Sequence, residues 1–213
     1  MLGLSFRDSE SRAMKIYSIG HSNQPIQAFL ELLSKHGIQV LVDVRSHPYS
    51  RYVPHFNSPE LAHAVGQAKV SYLFMGKELG GRPDGEEFYD AEDHVIYSLV
   101  AQSPLFLKGI ERLEEVGKAS RAAIMCSEED PIACHRHLLI GRVLAERGIS
   151  VLHIRGNGRI QMGEELASLE EAPLFEHSLW SEQWPASNDR GGREWRSIRS
   201  VSRRKQRPNS SDR

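Results

Sequence analysis

The chain has 213 residues, 39% of them hydrophobic and 26% charged, enough for one domain with a real core. No apolar run nears the ~20 residues that cross a bilayer, and no charged-then-apolar segment opens the chain, so neither a membrane span nor an export signal is expected. The net charge of −1 hides an asymmetry: from Arg190 onward nine Lys or Arg stand against Glu194 and Asp212, leaving about −8 for the rest.

Two cysteines, Cys126 and Cys134, are too few for a disulfide framework. With no export signal, reduced thiols and a cytoplasmic location are expected.

In chain order, residues 1–14 are mixed and polar and read as a flexible extension. Residues 15–20 (K-I-Y-S-I-G) make a strand stopped by a glycine. Pro25 suits a first helical position, and Ile26, Phe29, Leu30, Leu32 and Leu33 give an apolar helical face closed by Gly37. Residues 38–44 (I-Q-V-L-V-D-V) read as a strand covered on both faces. Ser58-Pro59 opens a second helix running to about Lys69, and a third strand spans 70–74.

A polar, glycine-rich loop is predicted over 75–89, then a helix from about Ala91, then another opened by Ser103-Pro104 and reaching about Val116. A fourth strand follows at 121–126, a helix from Pro131 to Arg147 closed by Gly148, and a fifth strand at 149–154. Strands separated by helices predict an α/β fold, a compact and mostly parallel sheet of about five strands with helices on both faces.

The expected organisation is an α/β domain over 15–160, a partly helical C-terminal extension over 161–188, and a disordered basic tail over 189–213. Removing that tail is expected to leave the fold intact. A basic arm of this kind is either a nucleic-acid tether or a solubilising terminus.

Right-handed crossovers place every strand's C-terminal end on one edge, where ligands bind in open α/β sheets. The residues falling there are strongly polar: His21 and Ser22 after the first strand, and Asp43, Arg45, Ser50 and Arg51 at and after the second. Glu78, Gly80 and Gly81 follow the third strand, and Cys126, Glu128, Cys134, His135 and Arg136 end and follow the fourth. His21, Asp43, Cys126, Glu128 and His135 are the candidates for proton transfer or nucleophilic attack. Ser22, Arg45, Ser50, Arg51, Glu78, Gly80, Gly81, Cys134 and Arg136 are the candidates for holding an anionic substrate.

Each has a structural alternative. Asp43 can form an arginine ion pair that closes the top of the sheet, His21 can cap its turn, and either thiol can serve as a small apolar core residue. Arg136 near the start of a helix sits beside a partial positive charge, so it requires a compensating anion from the protein or from a ligand.

No cofactor is expected, since Glu78-Leu79-Gly80-Gly81-Arg82 lacks both nucleotide-binding glycine fingerprints. A zinc site from Cys126, Cys134, His135 and His21 is not favoured. The cysteine spacing lacks a knuckle, and adjacent residues on a helix point to different sides.

Four segments, I-Y-S-I-G-H-S at 16–22, L-V-D-V-R-S-H-P-Y-S-R at 41–51, E-L-G-G-R at 78–82 and C-S-E-E-D-P-I-A-C-H-R at 126–136, resemble the family called domain of unknown function 488. The likeness runs from about residue 15 to 155. It implies a compact α/β domain with these motifs grouped on one side, and it transfers no catalytic role. The chemistry of the rim predicts an enzyme acting on a phosphate-bearing substrate, a nucleotide or nucleic acid; the alternative is a non-catalytic module binding the same partners. The ten-residue step from Cys126 to Arg136 does not match the Cys-x-x-x-x-x-Arg loop of thiol phosphatases.

Overall fold

The computed structural model describes residues 14–166 and 195–199. Within them lies a six-stranded sheet in the order β3-β2-β4-β1-β5-β6. Its strands are β1 (Lys15–Gly20), β2 (Val40–Asp43), β3 (Ser71–Phe74), β4 (Ala122–Cys126), β5 (Ser150–Ile154) and β6 (Ile160–Met162). The first five run parallel, as the strand–helix alternation predicts. β6 is an addition: three residues after the turn that follows Arg155, paired antiparallel on the β5 edge.

Alternation along the strands builds a core on each face. Ile19, Leu41, Ala123 and Met125 pack under α1 (Ile26–Lys35) and α2 (Ser58–Gln67). Ile16, Val42, Ile124 and Cys126 face α5 (Pro104–Ala119) and the helical stretch ending in α6 (Arg142–Glu146). Each fully buried Leu, Ile or Phe contributes ~1.5–3 kcal/mol. α5 starts where expected, with Ser103 Oγ accepting from the Phe106 N–H at 3.3 Å and Pro104 in the first turn.

Three segments depart from the sequence reading. The loop predicted over 75–89 contains α3 (Gly76–Leu79), a single turn pinned by buried Leu79 against α5. Gly109 permits this approach, since a Cβ there would lie 2.8 Å from Leu79. The helix expected from Ala91 is only α4 (Tyr97–Val100), because Asp90 Oδ1 accepts from the N–H groups of Glu92 (3.0 Å) and His94 (2.8 Å) and folds residues 90–94 into a turn.

The predicted helix over 131–147 is broken into a 3-10 turn (Pro131–Ala133), an extended Cys134, a π-helical stretch (Arg136–Gly141) and α6. The residues of the expected N-terminal extension before Met14, and those of the C-terminal extension after Leu166, lie outside the described residues. So does most of the expected basic tail. Its residues 195–199, however, are packed on the body: Trp195 Nε1 donates to Leu138 O (2.9 Å), and Ser197 N donates to Val95 O (2.8 Å).

The topology selects one crevice. The chain leaves β2 outward to β3, whereas it leaves neighbouring β4 across β1 to β5. These two connections part at the C-terminal ends of β2 and β4, the kind of switch point at which open α/β sheets bind ligands. Among the described residues no helix is long and apolar enough to cross a membrane.

Candidate functional site

The crevice is built from the end of β4. Cys126 pairs in register with Gly20 of β1, and the Val44 N–H donates to Met125 O (3.1 Å), so three strand ends finish flush. Beyond Cys126 the chain runs through Ser127, Glu128 and Glu129 to Asp130, whose carboxylate accepts from the Ile132 N–H (3.3 Å) and starts the 3-10 turn. Cys134 leaves that turn in an extended conformation (φ −119°, ψ 139°), and helical geometry begins only at His135. The sequence argument that Cys134 and His135 point to opposite sides of a helix therefore fails. Cys134 is not in the helix, and the two side chains converge.

The result is a compact cluster. His135 Nδ1 lies 3.6 Å from Cys126 Sγ and 3.8 Å from Cys134 Sγ. Glu128 Oε2 lies 3.0 Å from Cys126 Sγ and 3.3 Å from Cys134 Sγ. Both thiols and the imidazole are buried, and Glu128 is the exposed member that meets solvent. His135 Nε2 sits 3.1 Å from Val44 O, an acceptor only, so Nε2 carries a proton and the Nδ1 side of the ring faces the two sulfurs. Gly81 lets the β3 loop close on this ring, since a Cβ there would lie 2.8 Å from His135 Cγ. Gly20 gives the Glu128 backbone the same close approach.

The electrostatics divide the two thiols. Cys126 is held well above its ordinary value by its hydrogen bond with Cys134, by burial and by the Glu128 charge, so it keeps its proton. Burial pushes Cys134 up, but its hydrogen bond with Cys126, the Arg136 charge and His135 outweigh that and leave the thiol well below the usual range. His135 is raised: burial opposes the charged form, and Cys134, Glu128 and the Val44 carbonyl favour it. A thiol shifted down beside an imidazole shifted up, in one buried cluster at a crevice, is a pattern concentrated at functional sites.

Asp43, Arg45 and His21 form a second buried group with a different character. Asp43 accepts from Arg45 Nε (2.9 Å) and Arg45 NH2 (2.6 Å), and from Tyr72 OH (2.7 Å). Arg45 spends its remaining donors on Phe56 O (2.8 Å) and His21 Nε2 (3.1 Å). His21 Nδ1 donates to Ser22 O (2.7 Å), and the ring stacks on Phe56 at 4.3 Å. Burial, then the Arg45 charge, lowers the His21 pKa to about 4. Both ring nitrogens are occupied and the imidazole is neutral at neutral pH; the group closes the top of the sheet.

Arg136 is 1% exposed and is the largest fully buried side chain among the described residues. Its NH1 donates to Glu128 O (2.5 Å) and its NH2 to Glu129 O (2.7 Å), so a pair of loop carbonyls stands where a compensating anion was expected. Nε donates to Ser18 Oγ (3.3 Å). Ser18 Oγ is hydrogen-bonded to His153 Nδ1 (2.6 Å), and His153 Nε2 to His137 Nδ1 (3.2 Å). Arg136 is thus clamped from the sheet side, and it in turn fixes the loop that carries Glu128.

The remaining expected residues sit around the rim. Ser22 N donates to Ser127 O (2.8 Å) and ties the β1 loop to the β4 loop. Ser50 Oγ accepts from the Tyr52 N–H (3.2 Å) and shapes the β2 loop. Arg51 is exposed and lies over the Tyr52 ring at 4.7 Å. Glu78 pairs with Arg112 (3.2 Å), and Gly80 packs on Ser46.

The structure adds residues that sequence reasoning missed. Ser18, His137 and His153 are scattered over 135 positions and carry no local motif. Tyr49 and Tyr52, each 77% exposed, stand on the rim inside the H-P-Y-S-R-Y run, where two tyrosines beside an arginine were a readable signal.

The fold and this crevice define an α/β protein with a thiol–imidazole–carboxylate centre at the switch point of a parallel sheet. The family model described as Domain of unknown function DUF488 matches residues 25–143, more than half of the chain, and the chain belongs to that family. The segment from Cys126 to Arg136 lies inside the match, and I-Y-S-I-G-H-S at 16–22 lies before it. No curated protein and no solved structure shows a significant match.

Proposed function

We propose that this protein is an enzyme performing hydrolysis or group transfer on a phosphate-bearing substrate, a nucleotide or nucleic acid, with its reaction centre at Cys126, Glu128, Cys134 and His135. The observation that carries the reading is the convergence of two thiols, an imidazole and a carboxylate at the switch-point crevice. Glu128, the exposed member, carries the proton exchanged with water or substrate. Two reduced thiols in the centre suit a reducing compartment such as the cytoplasm.

The rim supports the substrate class. Tyr49 and Tyr52 offer exposed ring faces for stacking on bases, with Arg51 between them for a phosphate. Exposed Lys77 and Arg82 lie on the β3 side, where Lys77, Glu78, Asp84, Phe88 and Phe106 line a cleft of about 330 Å³. A non-catalytic nucleotide- or nucleic-acid-binding module fits less well, because two buried thiols beside an imidazole supply nucleophilic and proton-transfer groups that gripping a phosphate does not need.

The test is product formation from a panel of nucleotides, simple phosphate esters and oligonucleotides. Glu128→Gln should lower turnover at least ~100-fold with unchanged unfolding, the range for losing a general acid–base. Binding without product, or turnover indifferent to Glu128→Gln, overturns the reading.

A further inference from the structure

Two buried thiols and a buried imidazole converge at the end of β4, with the Glu128 side chain beside them toward solvent. A divalent cation held by these groups would offset the charge of the sulfurs and place a Lewis acid where a phosphate would approach. We infer that Cys126, Cys134 and His135 are the ligands of a zinc ion, with the fourth position open on the solvent side beside Glu128. This rests on the same centre as the proposed function, and it assigns the group that would polarise the phosphate or lower the pKa of an attacking water.

The donor separations carry the inference. All three buried ligand atoms lie within 4.8 Å of one another. A tetrahedral site with Zn–S near 2.3 Å and Zn–N near 2.0–2.1 Å requires about 3.6 Å between sulfur and nitrogen. The two sulfur–Nδ1 distances are 3.6 and 3.8 Å. Glu128 Oε2, at 3.0 and 3.3 Å from the sulfurs, stands outside this group of three, which leaves the fourth position to water or substrate.

A second observation is independent of those distances. A metal-bound imidazole donates its other N–H to a fixed acceptor, which sets the tautomer and aims the lone pair. His135 Nε2 is held by the Val44 carbonyl at 3.1 Å, and Gly81 packs against the ring face, so Nδ1 is locked toward the sulfurs. Two thiols and one imidazole with an exchangeable oxygen ligand is a donor set of the catalytic kind, suited to zinc over magnesium or calcium.

The decisive probe is the metal alone, on the full chain under reductant. Cobalt(II) titrated into the chelated protein should give intense tetrahedral bands and a thiolate-to-cobalt charge-transfer band, saturating at one ion per chain and displaced by zinc. The Cys126→Ser/Cys134→Ser double variant should lose the charge-transfer band. Because that variant can fail to fold, the wild-type thiols provide the second readout: zinc should slow their alkylation by iodoacetamide at least ~10-fold, and EDTA should restore it. A cobalt spectrum without thiolate charge transfer, or alkylation indifferent to zinc, overturns the inference.

The two readings fail separately. Zinc held by the thiols with no turnover on any phosphate compound leaves the metal site and removes the enzyme. Turnover that survives complete chelation, with freely alkylated thiols, does the reverse.

Discussion

Arg136 shows how a charged residue can be indispensable to a site without touching a ligand. Its guanidinium is buried against the carbonyls of Glu128 and Glu129, and its Nε rests on Ser18. Arg136→Gln removes donors from two carbonyls at once, and each unsatisfied buried group costs ~1–3 kcal/mol. Chemical denaturation should therefore show a loss of about 3 kcal/mol. Unchanged stability with weakened ligand binding would instead make Arg136 a ligand residue.

His21 adds a pH dependence at the same scale. Its folded pKa is about 4, below the ~6.5 of an unfolded histidine, so the unfolded state takes up the proton first as pH falls. The contribution is complete above pH ~6.5 and is lost on the way down through pH 4, on the order of 3 kcal/mol. His153, lowered to about 3 by burial and then by His137 and Arg136, steepens the same descent. Stability measured from pH 7 to pH 4 should fall, and His21→Asn should make the slope shallower. Parallel slopes for variant and wild type would remove His21 from the account.

At the scale of elements, the site depends on loops that approach closer than side chains allow. A Cβ on Gly20 would collide with the backbone of Glu128 and Glu129, which cannot swing aside as a flexible side chain would. Gly20→Ala should cost ~3 kcal/mol, the upper part of the overpacking range, and should displace the Glu128 loop. A Gly20→Ala protein with wild-type unfolding and unaltered thiol reactivity would show that the loop is not tightly held.

The five parallel strands were legible because β-branched and apolar runs alternate with helical periods, and that alternation alone places His21, Asp43 and Cys126 on one edge. The convergence of Cys134 with His135 was not legible. It depends on a 3-10 turn started by Asp130 and Pro131 that leaves one extended residue before the helix, below the resolution of helical periodicity. The Ser18–His153–His137 chain was hidden for another reason: Ser18 and His153 meet through the parallel pairing of β1 with β5, and His137 reaches them from the π-helical stretch.

At the scale of the whole molecule, a short segment near the C-terminus closes over the α4–α6 side. The Trp195 indole donates to Leu138 O, packs edge-on to Tyr97 at 6.1 Å and lies under Arg142 at 4.3 Å. Arg196 pairs with Asp90, and Ser197 exchanges two hydrogen bonds with Val95. Composition hid this, because a tryptophan among nine basic residues gives no periodic signal. Truncation before Trp195 should therefore cost roughly 2 kcal/mol and lower the melting midpoint by about 4–8 °C. A midpoint within about 2 °C of wild type would restore the expectation that the terminus is dispensable.

The central claim is that Cys126, Glu128, Cys134 and His135 act as one centre at the crevice between β2 and β4. Anomalous diffraction at the zinc absorption edge, from crystals of the zinc-loaded protein, tests it most directly. The account predicts one peak between Cys126, Cys134 and His135, about 2.3 Å from each sulfur and about 2.0 Å from His135 Nδ1. A peak elsewhere, or a Cys126–Cys134 disulfide with the His135 ring turned away, would contradict it.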